Sequence, residues 1–144
     1  MISICNSCNE NAIVSVSENR RTFRIKNDST FEVNKVEVDG CYKTEGLRCD
    51  YLFEIIENRK NNRTIKKIFY VELKGSDITH AIHQLEATIV DCSSIHNNIE
   101  TQECYIIASK FPSSGASSQL LKKKFYKKNK IQLFIATKIK EIVI

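Results

Sequence analysis

An acid followed two residues later by a lysine occurs once in this 144-residue chain, at Glu72-Leu73-Lys74. The triplet closes an apolar run, Ile68-Phe-Tyr-Val, of the kind that forms a buried strand. Side chains alternate along a strand, so Glu72 and Lys74 share one face while Val71 and Leu73 point to the other. Twenty-two residues before Glu72, Asp50 leads a second such run, Tyr-Leu-Phe-Glu-Ile-Ile. Between the runs, Glu57-Asn-Arg-Lys-Asn-Asn-Arg-Thr64 is rich in turn formers and has no helical period, which predicts a β-hairpin with a longish loop. In the simplest register Asp50 then lies beside Glu72 and Lys74 at one end of a sheet. Two carboxylates supply hard oxygen ligands for Mg²⁺ or Mn²⁺. Such an ion acidifies a bound water and neutralises the charge that builds on a phosphodiester under attack. A neighbouring ammonium could hold the water or the phosphate. The same three side chains could also form a solvated cross-strand charge pair, which contributes little stability.

The flanking elements would have to place this trio. Gly75-Ser76-Asp77 reads as a strand release followed by a helix N-cap. Ile78, Ala81, Ile82, Leu85 and Ile89 recur at helical spacing through Cys92, giving one apolar stripe to lie on the sheet. His80, Gln84 and Thr88 step by four along its flank, and an exposed helix face is the plain expectation for both His80 and His83. After a polar loop containing His96-Asn-Asn98, Cys104-Tyr-Ile-Ile-Ala108 is predicted to be a buried strand.

Asp50 on one strand, Glu72-Leu73-Lys74 on the next, then helix and strand, resembles the PD-(D/E)xK nuclease superfamily of restriction-endonuclease-like fold. The resemblance covers about residues 36–110. It implies an α/β fold with a mixed central sheet, one main helix and a ββαβ core. It further implies divalent metal held by Asp50, Glu72 and the Leu73 carbonyl, with Lys74 as the catalytic lysine. Gln84 would touch the scissile phosphate or its water, and His80 could assist proton transfer, since an imidazole side chain is suited to changing charge at physiological pH. The chain departs from the family pattern where a helix bearing another acid usually precedes the first core strand. Asp39 is the candidate third acid, with Glu37 and Glu45 as rivals. Proteins of this superfamily act in restriction, repair, junction resolution and phage defence. DNA rather than RNA is the expected partner, with a homodimer or a partner ATPase or defence subunit both open.

The rest of the chain sets the bounds. A length of 144 residues suits one domain. It divides into a β-rich extension (1–35), the core (36–110), and a basic helix with a terminal strand or strand pair (111–144). Residues 12–16, 22–26, 31–33 and 36–40 alternate apolar with polar and predict an antiparallel meander. No secretory leader or membrane-length apolar run is visible, so a soluble cytoplasmic protein without a membrane partner is expected. Six cysteines then read as thiols or ligands rather than disulfides. Cys5, Cys8, Cys41 and Cys49 could supply four thiolates to a structural Zn²⁺. The net charge of +5 is concentrated late. Lys122, Lys123, Lys124, Lys127, Lys128 and Lys130, interleaved with Phe125 and Tyr126, suit a phosphate backbone and a stacked base, or else form an ordinary solvated face. No Walker loop, GxSxG elbow or HExxH motif supports another hydrolase class. The alternative to an enzyme is a non-catalytic binding module of the same fold, zinc-stabilised or not.

Overall fold

The computed structural model describes every residue except 76 and 111–114, and only the backbone of 74, 75, 115 and 116. In chain order the elements are β1 (Asn6–Asn9), β2 (Ile13–Glu18), β3 (Arg21–Lys26), β4 (Glu32–Glu37), β5 (Tyr51–Arg59), β6 (Asn62–Gly75), α1 (Ile78–His96), β7 (Thr101–Ala108), α2 (Gly115–Asn129), β8 (Gln132–Thr137) and β9 (Ile139–Val143). A mixed six-stranded sheet runs β1-β4-β5-β6-β7-β8, and a smaller sheet runs β2-β3-β9.

The central hairpin is tighter than predicted. β5 and β6 pair antiparallel out to Arg59↔Asn62, leaving a two-residue turn at Lys60 and Asn61, both with positive φ (49° and 63°). Two such residues make a turn whose twist matches that of the strands it joins. The polar stretch 57–64 therefore continues the strands into solvent and forms no loop. Asn19 and Arg20 (φ 49° and 65°) close β2 onto β3 in the same way.

The expected single meander is also two things. β2 and β3 leave the main sheet to form the smaller one, while β4 pairs with β1 and β5. Alternation along a strand reveals which face is apolar, not which partner it meets, and here two faces need covering. Sheet faces separate by residue parity. Phe53, Phe69, Val71 and Tyr105 pack against Val14, Phe23 and Ile25 of the smaller sheet. Leu52, Ile68, Tyr70 and Ile106 pack against Ala81 and Leu85 of α1 and Phe125 of α2. The result is helices, large sheet, small sheet, in three layers. The terminal strand pair is split between them: Lys138 (φ 66°) turns the chain so that β8 extends the large sheet and β9 pairs parallel with β3.

α1 begins where expected, with the Asp77 side chain accepting the His80 N–H at 3.1 Å. It follows β6 and leads to β7, which lies parallel to β6. No helix precedes β5 among the described residues.

Candidate functional site

Tyr51 pairs with Val71, so one step back the register sets Asp50 opposite Glu72. By parity both side chains lie on the α1 side of the sheet. The Asp50 N–H donates to the Val71 carbonyl at 3.2 Å, and Asp50 Oδ2 accepts the Leu73 N–H at 2.8 Å. Asp50 is thereby fastened to β6 through both its backbone and its carboxylate. It is 4% exposed and Glu72 is 0% exposed. At the same point β6 slips against β7, from Glu72↔Ile106 to Gly75↔Ala108, so one extra residue bulges within Leu73-Lys74. Bulges re-aim side chains and are common beside active sites. The Lys74 side chain lies outside the described residues.

The loop entering β5 is held by α1. Gln84 Nε2 donates to the Arg48 carbonyl at 3.0 Å, and Thr88 Oγ1 accepts the Cys49 N–H at 2.9 Å. Arg48 Nε in turn donates to Asp39 Oδ1 at 2.6 Å, and the Asp39 N–H reaches the Asp50 carbonyl at 3.3 Å. Asp39 thus stands beside the Asp50 backbone with its carboxylate engaged by Arg48. Glu37, Glu45, His80 and His83 are exposed. Among the described residues no three His, Cys, Asp or Glu side chains converge as a ready metal cage. A metal here would have to be held by two carboxylates and a main-chain oxygen.

The zinc quartet does not assemble. Cys5 and Cys41 are joined in a disulfide, Cys8 donates to Asn34 Oδ1 at 3.2 Å, and Cys49 is buried. Burial holds the Cys49 thiol far above its usual pKa; a Thr88 hydrogen bond opposes this, and the charges of Glu72 and Asp50 reinforce it. Cysteines 36 residues apart carry no local signal of pairing. Closing a loop of that length removes conformational freedom worth about 4 kcal/mol from the unfolded chain. Denaturant unfolding should therefore weaken by up to that amount in dithiothreitol, with Cys5→Ser already weakened and insensitive to the reductant.

On α2, Lys123, Lys124, Lys127, Lys128 and Lys130 are exposed and Lys122 is half-buried. Lys128 pairs with Glu86 of α1 at 2.9 Å. The two aromatics diverge: Phe125 is buried in the core, whereas Tyr126 is 55% exposed. With Lys122, Lys123, Gln132 and Leu133, Tyr126 lines a shallow groove of about 480 Å³ beside β8.

Comparison with protein-family models, with curated proteins and with solved structures finds no match. No helix among the described residues is long and apolar enough to cross a membrane.

A second polar cluster lies outside the residues that the sequence singles out. Glu54, buried on β5, accepts from His96 Nε2 at 2.7 Å, Asn34 Nδ2 at 2.6 Å and the Ile2 N–H at 3.0 Å. Burial alone would raise its pKa, but the three hydrogen bonds and the His96 charge outweigh burial and hold it below the ordinary value. His96 Nδ1 is 2.9 Å from the Tyr70 hydroxyl. Rather than lying in a polar loop, His96 is the last residue of α1 and 1% exposed. Two periodicities carry the signal. Glu54 falls two residues from Leu52 and from Ile56, and His96 continues the step of three and four through Leu85, Ile89 and Cys92.

Proposed function

We propose that the chain is a divalent-metal-dependent nuclease of the PD-(D/E)xK type. The observation that carries this reading is the placement of Asp50 opposite Glu72 at a bulged strand end from which α1 departs. The order β5, β6, α1, β7, with β5 antiparallel and β7 parallel to β6, supports the restriction-endonuclease-like core that the resemblance implies. The donor set suits Mg²⁺ or Mn²⁺: two carboxylates and the Leu73 carbonyl are hard oxygens, and like charges close together in a low dielectric favour a cation. When bound, such an ion would acidify a water and offset the charge developing on the phosphate.

The chain's own residues divide the remaining work. Asp50 is oriented by the Leu73 N–H, so its carboxylate is fixed in direction. Lys74, two residues beyond Glu72, holds the attacking water or the phosphate. Gln84 acts as a positioning residue, fixing Arg48 and so the entry to Asp50. The α2 lysines and Tyr126 supply a surface for the phosphate backbone and a base, with DNA as the expected polymer. Reversing Lys123 and Lys127 to glutamate should weaken DNA binding and flatten its salt dependence. The log–log slope falls by about 0.9 for each phosphate that is no longer neutralised, which fluorescence anisotropy across a salt series would measure.

The near-complete burial of Asp50 and Glu72 favours a second reading, a non-catalytic nucleic-acid-binding module that keeps the fold. Incubating the protein with plasmid, single-stranded DNA and RNA in Mg²⁺, Mn²⁺ or chelator separates the two. The nuclease reading expects cleavage only with metal. Binding without cleavage under every condition would overturn it in favour of the module.

A further inference from the structure

A cavity of about 290 Å³ opens between the C-terminal ends of α1 and α2 and the start of β7. It shares the helix side of the sheet with Asp50 and Glu72 but lies at the opposite end. α1 runs from the end of β6, beside Glu72, to His96 at the cavity, and Glu54 lies four positions along the chain from Asp50, about 13 Å of strand. The volume sits at the lower end of the range for small-molecule sites. That admits a ligand of nucleobase or nucleoside size.

The floor is built from buried polar groups. Tyr70 is 0% and His96 1% exposed, and both line the cavity. Because Glu54 is held as a carboxylate, it can only accept, so His96 Nε2 carries a hydrogen. The Tyr70 hydroxyl lies 2.9 Å from His96 Nδ1 and 3.3 Å from Gln102 Oε1. With one hydrogen and two lone pairs for these two partners, the hydroxyl keeps at least one lone pair at the cavity floor whichever way the His96 contact runs. Gln102 is fixed as scaffold, its Nε2 donating to the His96 and Ile99 carbonyls at 3.0 and 2.9 Å. At the rim, Asn129 Nδ2 is taken by Glu86 Oε2 (3.0 Å) and the Phe125 carbonyl (3.2 Å), which leaves its oxygen as a second acceptor. Ile89, Ile99 and Ile131 form apolar walls. The charged lining residues are one of each sign, Glu100 and Lys130, both exposed. Apolar walls, amide and phenol acceptors at the edge, and no net charge suit a flat neutral heterocycle carrying an amine, since side-chain amides pair with base edges.

We propose that the cavity floored by Tyr70 and His96 is a binding site for a nucleobase with an exocyclic amine. The site is independent of the nuclease reading. Its test is run in chelator, so that no divalent ion takes part.

Adenosine, guanosine, cytidine and uridine are titrated into the full chain by calorimetry and saturation-transfer NMR, with ribose 5-phosphate as the control. At least one amine-bearing nucleoside should saturate a single site and bind at least tenfold tighter than uridine. Tyr70→Phe keeps the ring packing and should weaken binding about tenfold. Ser93→Trp, at an exposed α1 position lining the cavity, should abolish it with the fold intact by circular dichroism. Displacement of the nucleoside by a short single-stranded oligonucleotide would assign the base to a polymer, and its persistence would assign a free nucleoside; either outcome retains the site. No saturable binding, equal binding of uridine or ribose 5-phosphate, or undiminished binding by Ser93→Trp would overturn the proposal.

Discussion

Glu72→Gln and Lys74→Ala should each remove metal-dependent cleavage, with kcat/KM falling on the order of a thousandfold or more, while DNA binding through α2 persists. Glutamine matches the shape of Glu72 but not its charge, so the substitution withdraws one of two anionic metal ligands without opening a void in a fully buried position. Alanine at 74 removes the ammonium assigned to the attacking water. Because α2 reaches the polymer through its own lysines, anisotropy in chelator should return binding within a few-fold of the parent for both variants. Equal loss of binding and cleavage would mean that the substitutions disturb the fold or the docking surface, and the assignment of these residues to chemistry would not stand. Unchanged cleavage in Glu72→Gln would contradict it outright.

The largest stability effect is expected at the other end of the sheet. Glu54→Gln should destabilise the protein by about 3–5 kcal/mol, because it leaves more than one buried donor unpaired at about 1–3 kcal/mol each, and lower Tm on the order of 10 °C. The carboxylate accepts from three donors, His96, Asn34 and the Ile2 N–H. A glutamine amide would turn two of its own hydrogens toward groups that also donate, leaving buried donors unsatisfied. The pH dependence follows from the direction of the shift. Glu54 titrates below its ordinary value of 4.5 in the folded chain. Its contribution is therefore fully present above that value and is lost as pH falls through the lowered folded pKa. Below pH 4.5 the stability gap between parent and Glu54→Gln should narrow. Glu86 is likewise held low, against burial, by Lys128 and Asn129, but it titrates in both proteins and cancels in the comparison. Parallel acid limbs in urea unfolding from pH 3 to 6 would contradict this account.

Local rules make part of the molecule readable. Period-two alternation with a single acid-x-lysine triplet places Asp50 against Glu72, and the Ser/Asp capping signal after Gly75 marks the start of α1, where Asp77 caps the first turn. Long-range partnerships stay hidden because no local rule encodes them. The β2–β3 hairpin has the same alternation whether it extends the large sheet or covers it, and only the two-sided core formed by Phe23 with Phe53 and Tyr105 (centroids 5.5 and 4.9 Å apart) decides. Cys5 and Cys41 meet because β1 joins the edge of the large sheet beside β4. In sequence Glu54 is only one polar residue in an apolar run, and its burial makes sense only with His96, 42 residues away, in place.

Whether Asp50 and Glu72 hold a divalent ion together is read from a crystal grown from the full chain and soaked in Mn²⁺, with anomalous scattering recorded at the manganese edge. One strong peak is expected within coordination distance of an Asp50 oxygen, a Glu72 oxygen and the Leu73 carbonyl, absent from crystals of Glu72→Gln. An occupied manganese site elsewhere with none between Asp50 and Glu72, or a peak there that survives Glu72→Gln, would contradict that expectation.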